Sequence, residues 1–155
     1  MVEEGKKAPN FKLPDTDGET VQLSKLKGSA VVLYFYPKDD TSGCTKEAIA
    51  FTELLGEFEA AGATILGVSP NDEKSHRKFI DKHDLKVRLL ADTEKAAAEA
   101  YGVWVEKSMY GRKYMGVERS TFLIDKAGKV SRIWRKVKVP GHAQEVLEAA
   151  QELSS

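Results

Sequence analysis

The sequence predicts a three-layer α/β sandwich with a central mixed β-sheet flanked by helices, and three observations predict it. Two apolar, β-rich runs, Ala30 to Tyr36 and Ala63 to Ser69, are each followed by a helical period, an order that requires crossover connections and so parallel strands. Two later apolar segments, Thr121 to Asp125 and Val130 to Trp134, flank Ala127-Gly128 and read as an antiparallel hairpin. An amphipathic stretch, Ala143 to Leu153, with Val146, Leu147, Ala150 and Leu153 on one face, closes the chain. At 155 residues, with 41% hydrophobic and 31% charged, residues 1–155 suit one domain with a single core, and no linker, repeat or low-complexity segment divides them.

Taken in order, residues 8 to 26 read as a small β element, with Asp17-Gly18 as a turn and Thr20, Val21 and Leu23 as strand material before Lys27-Gly28 breaks the chain. The run Ala30 to Tyr36 is continuous and bounded by Gly28 and Pro37, the signature of a central strand covered on both faces. From Cys44 to Ala61, apolar residues at 48, 51, 55 and 58, with 54 and 61 beside them, predict one helix that Gly62 stops. After the second strand, Asn71 or Asp72 caps a helix to about His83. A shorter strand is expected at Val87 to Leu90 and a helix near Glu94 to Tyr101 that ends at Gly102. Residues 103 to 117 have no clean period and are expected to form an irregular excursion.

Composition narrows the function classes. Lysine plus arginine and aspartate plus glutamate both total 24, so no net field attracts nucleic acid or anionic lipid. The start, Met1 to Lys7, has no apolar signal core, and the longest apolar run falls far short of the roughly 20 residues that span a membrane. The expectation is a soluble cytoplasmic protein.

A lone cysteine, Cys44, cannot form an internal disulfide or supply a zinc cluster, so it is either a buried apolar filler or a working thiol. Its place favours work. The segment Pro37 to Cys44 starts at the carboxyl end of a parallel strand, where α/β sheets hold ligands, and Cys44 falls in the first turn of the next helix, whose free amides stabilise a thiolate. Thr41 or Ser42 is the expected N-cap; with Thr41 as cap, Cys44 is the third helical residue and the threonine hydroxyl can serve the sulfur. Pro37, without an amide hydrogen, can end the strand and shield one side of a pocket. On these residues alone, Pro37 and Gly43 as ordinary loop residues and Thr41 as a mere cap stay open.

Pro37, Thr41 and Cys44 meet the Pro-x-x-x-Thr-x-x-Cys signature, and through it the chain resembles the peroxiredoxins. The longer stretch Tyr34 to Ala48 resembles the bacterioferritin comigratory protein subfamily, also called peroxiredoxin Q; Glu118 to Asp125 is similar to its arginine-bearing strand and Val139 to Ala143 to its closing turn. The resemblance covers nearly the whole chain. It implies a thioredoxin-like fold and an antioxidant thiol peroxidase acting on hydrogen peroxide and organic hydroperoxides. Cys44 would be the peroxidatic cysteine, Thr41 and Arg119 its polar partners and Pro37 the shield, with no metal or organic cofactor. A permanently charged guanidinium suits the role given to Arg119, because it stabilises a thiolate and can bond the peroxide oxygens as charge develops.

Two departures from the subfamily stand out. Ser42 replaces a proline that many members carry, for which little loss of chemistry is expected and either an altered cap or a looser loop. Ile49 stands where many relatives have a resolving cysteine, five residues after the peroxidatic one. The sulfenic acid must then be reduced by an external thiol, whether thioredoxin, glutaredoxin or glutathione, or pair with Cys44 of another copy. The subfamily likeness suggests a monomer or weak homodimer.

Other residues carry competing expectations. Glu47, three residues after Cys44, either orients Arg119 or accepts a proton, or is a solvated helix glutamate. His76 and His83 are expected on the surface of a charged helix, and His142 at the start of the last helix is expected to cap it. Two rival functions stay open: a Cys/His hydrolase using Cys44 and His142, and a non-catalytic thioredoxin-like binding module. Trp104, Tyr110, Tyr114 and Trp134 can line an apolar rim for alkyl hydroperoxides, with core packing preferred for the two tryptophans. Lys126 to Lys129 lacks a full phosphate-loop pattern and reads as a turn.

Overall fold

The computed structural model describes residues 2–154. It opens with two short antiparallel strands, Lys12–Pro14 (β1) and Thr20–Gln22 (β2), joined through a turn in which Asp15 Oδ1 accepts the amides of Asp17 and Glu19. A single 3₁₀ turn, Leu23–Leu26, leads to the central strand Ala30–Phe35 (β3). Then follow Ser42–Glu53 (α1), Leu55–Ala60 (α2), Ala63–Ser69 (β4), Glu73–His83 (α3), Arg88–Ala91 (β5) and Ala96–Ala100 (α4). Trp104–Met109 (β6), Arg112–Val117 (β7), Ser120–Ile124 (β8), Val130–Trp134 (β9) and His142–Ser154 (α5) complete the chain.

The main sheet has the order β5-β4-β3-β8-β9, with β3, β4 and β5 parallel and β8 and β9 antiparallel to their neighbours. The sheet is mixed as expected, because crossovers return the early strands in one direction and a tight turn reverses the late ones. Every residue of β3 is buried, and alternation divides it between two cores. Val31, Leu33 and Phe35 face the opening hairpin and α4; Ala30, Val32 and Tyr34 face α1, α2, α3 and α5, together with Phe51, Phe58, Phe79, Val146 and Leu147. Helices thus cover both sides of the sheet. Gly67 in β4 makes room for this packing: a Cβ there would lie 2.7 Å from the Tyr34 ring, which stacks on Phe51 at 4.7 Å between centroids.

Local chemistry sets most boundaries where the sequence puts them. Asp72 caps α3 by accepting the Ser75 amide at 2.8 Å, and Gly62 and Gly102 take positive φ after their helices. Two expectations fail. The helix expected from Cys44 to Ala61 is two helices, broken at Leu54, where φ −97° and ψ 3° interrupt the ladder beside Gly56. Residues 103 to 117 are not irregular but form the hairpin β6–β7, turned by Tyr110 and Gly111 at φ 51° and 78°, the left-handed pair of a two-residue hairpin turn. Its period was invisible because both faces of its outer half are exposed, so nothing forces apolar and polar residues to alternate. Among the described residues, no helix is long and apolar enough to cross a membrane.

Candidate active site

Strand β3 leaves the sheet at Tyr36, and half-buried Pro37 begins the loop that leads to α1. Thr41 occupies the N-cap position with an extended backbone, and its carbonyl accepts the first helical bond from the Thr45 amide at 2.8 Å. Cys44 is therefore the third residue of α1, as expected. The hydroxyl of Thr41 does not cap the helix, however. It donates to the Lys38 carbonyl at 2.9 Å, so the loop spends the threonine on closing its own turn and no side chain caps the first-turn amides.

Register brings the arginine. Phe35 pairs with Ser120 between β3 and β8, so Arg119, one residue before β8, falls beside the end of β3 and the cysteine loop. Its Nη2 donates to Cys44 Sγ at 3.3 Å and its Nη1 to Glu47 Oε1 at 2.6 Å. Cys44 and Glu47 are each only 1% exposed, one helical turn apart on the inner face of α1. Glu47 is thus the buried orienting partner of Arg119 and not a solvated glutamate. Burial pushes its carboxyl up to about 7 against the pull of Arg119. Burial also opposes the charge of Arg119, but Glu47 and then Cys44 outweigh it and hold the guanidinium above its ordinary value. Oε2 of Glu47 and the Tyr34 hydroxyl are both buried without a hydrogen-bond partner.

Two contributors escaped the sequence reading. Gly43 lets the guanidinium approach, since a Cβ there would lie 3.1 Å from Arg119 Nη2. Lys107 on β6 is a second cation turned toward the site; burial, then repulsion by Arg119, lowers its pKa. A basic residue on an irregular-looking stretch offered no signal for the second, whereas a glycine beside the cysteine was at least a visible clue to the first.

The histidines depart from expectation. His76 is not on the surface but fully buried, with Nδ1 2.7 Å from Asp39 Oδ2 and Nε2 2.9 Å from the Leu90 carbonyl. His83 is partly exposed and meets Asp40 Oδ1 at 2.8 Å. His142 does not use its ring as a cap: it is buried, its Nε2 is 2.8 Å from Thr121 Oγ1, and burial lowers its pKa to about 4. Nε2 of His142 is engaged by Thr121, and the side chain bonded to the Cys44 sulfur is the Arg119 guanidinium. Trp104 and Trp134 are partly buried and pack against the cores, whereas Tyr110 and Tyr114 lie exposed on the outer hairpin. Among the described residues, no group of three or more His, Cys, Asp or Glu is placed to hold a metal ion.

Comparison with known proteins places the chain in a family. The AhpC/TSA family model matches residues 4–133. Peroxiredoxin Bcp of Bacillus subtilis is 50% identical over 153 residues, covering 99% of this chain and 98% of the relative. Among solved structures, the bacterioferritin comigratory protein of Xanthomonas campestris, studied for its alkyl peroxide reduction activity, is 41% identical with a TM-score of 0.92, covering 99% of this chain and 100% of that one. A cysteine-to-serine mutant of Xylella fastidiosa PrxQ is 38% identical with a TM-score of 0.95, covering 100% and 99%. These likenesses bear out the thioredoxin-like sandwich expected from the sequence.

Proposed function

This chain belongs to the AhpC/TSA family as a peroxiredoxin of the bacterioferritin comigratory protein type, and on that premise we propose that Cys44 attacks the hydroperoxide and an external thiol completes the cycle. The enzyme is a thiol-dependent peroxidase. The observation that carries the assignment of residues is the 3.3 Å bond from Arg119 to the sulfur at the start of a helix.

In the first half-reaction the Cys44 thiolate attacks the terminal peroxide oxygen. A sulfur–oxygen bond forms, the O–O bond breaks, and its electron pair leaves on the second oxygen, which takes a proton to become water or an alcohol. Cys44 is oxidised by two electrons to a sulfenic acid. Arg119, held by Glu47, supports the anionic sulfur before attack and the leaving oxygen as its charge grows. Free first-turn amides add donors on the same side, Thr41 keeps the loop shut, and Pro37 shields the pocket without offering a competing amide.

In the second half-reaction an external thiol attacks the sulfenic sulfur, releasing water and leaving a mixed disulfide. A second thiol then displaces Cys44 and carries the disulfide away. With one cysteine in 155 residues, nothing in the chain can replace that thiol. Thioredoxin, glutaredoxin or glutathione fits the role. We place the enzyme in the cytoplasm as a monomer or weak homodimer, with residues 1–155 acting as one domain.

Peroxide consumption with dithiothreitol, measured for wild type, Cys44→Ser and Arg119→Ala, tests the reading. The expected order is wild type, then Arg119→Ala lower by about 100-fold, then Cys44→Ser without activity. Wild-type turnover no faster than Cys44→Ser refutes the assignment.

A further inference from the structure

The β6–β7 hairpin turns one face toward Cys44, and the cations on that face have no carboxylate of their own. Cross-strand partners share a face, so Lys107 and its partner Tyr114 lie beside Met109 and its partner Arg112. The Lys107 ammonium interacts electrostatically with Arg119, Cys44 and Glu118, which marks this as the side nearer the sulfur. Gly116 clears the way for it. A Cβ there would lie 3.2 Å from Lys107 Cδ and 3.5 Å from Cε, and Gly116 is not among the positive-φ glycines, so its small size serves close approach. The stem of Lys107 therefore lies flat against the end of the hairpin that leads into Arg119.

The opposite face is different. There Lys113 meets Glu106 at 3.8 Å, whereas among the described residues no carboxylate lies within ion-pair distance of Lys107 or Arg112. Two exposed lysines add to the imbalance: the Val137 amide donates to the Arg119 carbonyl at 3.0 Å, so Lys136 and Lys138 flank the point where that loop meets the arginine. Acids and bases are equal at 24 each over the whole chain, so this excess of cations is local.

Hydrogen peroxide is small and neutral, and Arg119 already reaches the sulfur, so the outer cations suit a larger and anionic ligand. Lys107 and Arg112 are diagonal neighbours on the ladder, with Cβ atoms about 7 Å apart. That spacing fits two carboxylates of one molecule, the guanidinium holding one in its fork and the ammonium the other. Exposed Met109 and Tyr114 offer apolar contact beside them. With six residues on each strand the face is roughly 20 Å by 10 Å, the footprint of a small molecule and not of a stable protein interface at about 800 Å² a side.

Resting on the one-cysteine peroxidase reading above, we propose that the hairpin face bearing Lys107 and Arg112 binds the external thiol, and that it selects a small thiol carrying carboxylates, such as a cysteinyl peptide with free carboxyl groups. Bound by its carboxylates, the thiol brings its sulfur to the Cys44 sulfenic acid. A sulfur–sulfur bond forms, the sulfur–oxygen bond breaks, and the hydroxyl leaves with the thiol's proton as water. A second molecule of the same thiol then displaces Cys44 as a thiol and departs as the symmetrical disulfide.

The test uses the full chain. The sulfenic acid, made with one equivalent of hydrogen peroxide, is mixed with glutathione or with its diethyl ester, in which both carboxylates are masked, at equal thiolate concentration. Stopped-flow tryptophan fluorescence follows its loss. Wild type is expected to react about 10-fold faster with glutathione than with the ester, a ratio that falls to about 2 in about 0.5 M sodium chloride. Lys107→Gln and Arg112→Gln should each lower the ratio about 3-fold, and the double variant should bring it to about 1, with the ester rate unchanged. Lys113→Gln, on the opposite face, should keep the wild-type ratio. Equal rates for the two thiols in wild type, a ratio that survives in the double variant, or an equal loss from Lys113→Gln overturns the proposal. A loss in the double variant confined to a protein dithiol reductant overturns it too, because the face would then dock a protein. A wild-type sulfur that peroxide does not oxidise sinks the peroxidase reading instead, so the two failures are distinguishable.

Discussion

Arg119 Nη2 lies 3.1 Å from the point where a side chain on Gly43 would begin. The guanidinium cannot simply retreat, because Nη1 is bonded to Glu47 at 2.6 Å. Gly43→Ala should therefore displace Arg119 from the sulfur by a few tenths of an ångström and lower the rate of peroxide attack about 10-fold. Alanine is the better helix former by about 1 kcal/mol, so the unfolding midpoint should stay level or rise. Wild-type kinetics in this variant would show that the contact yields without consequence.

Two buried groups set opposing pH dependences of stability. Burial raises Glu47 from its ordinary 4.5 to about 7, so its contribution is complete below pH 4.5 and is lost as pH rises through 7. Burial lowers His142 from 6.5 to about 4, so its contribution is complete above pH 6.5 and is lost as pH falls through 4. Between pH 4.5 and 6.5 the slopes oppose each other. Glu47→Gln should unmask a stability that climbs with pH relative to wild type, and His142→Asn one that falls. Each change is up to about 3 kcal/mol, smaller for the less enclosed His142. Urea unfolding across this range checks both, and parallel curves for all three proteins would refute the pair.

Without an internal thiol, the sulfenic acid should persist and accept a second oxygen at high peroxide. Mass spectrometry after peroxide titration should find the two-oxygen adduct on Cys44; its absence at large excess contradicts the expectation. Ile49→Cys should suppress that adduct by supplying a competing sulfur. Five residues of helix rise about 7.5 Å, beyond the reach of a disulfide, so the bond can close only if α1 unwinds. Oxidised Ile49→Cys should therefore lose helical circular dichroism, whereas oxidised wild type should not.

Tyr110 is fully exposed at φ 51°, a left-handed backbone that asparagine tolerates better than tyrosine. Tyr110→Asn should raise stability by about 0.5–1 kcal/mol and leave peroxide turnover unchanged. Thermal unfolding and the dithiothreitol assay measure the two arms. A fall in turnover would give the hairpin tip a part in the reaction.

Sequence alone revealed the features whose causes are local. The run Ala30 to Tyr36 announces a buried strand because both faces must be apolar, and the spacing of Pro37, Thr41 and Cys44 is a fixed pattern with a chemical reason. Features that depend on distant partners were hidden. His76 sits among exposed neighbours on a charged helix, and only Asp39, 37 positions earlier, and the Leu90 carbonyl explain why it is buried. The fate of Glu47 depended on whether an arginine 72 residues away reached it. Gly43 resembled a loop residue until the guanidinium was placed beside it.

The bond between Arg119 and Cys44 joins positions 75 apart in the chain, and it can form only where β8 has paired with β3. During synthesis the cysteine emerges long before the strand that brings its arginine. Until that strand inserts, Cys44 lacks the cation, and Glu47, already one turn along the same helix, has no guanidinium to orient. If Cys44 and Arg119 act as proposed above, peroxide sensitivity is acquired on completion of the sheet, and loss of the β3–β8 pairing removes it along with the fold.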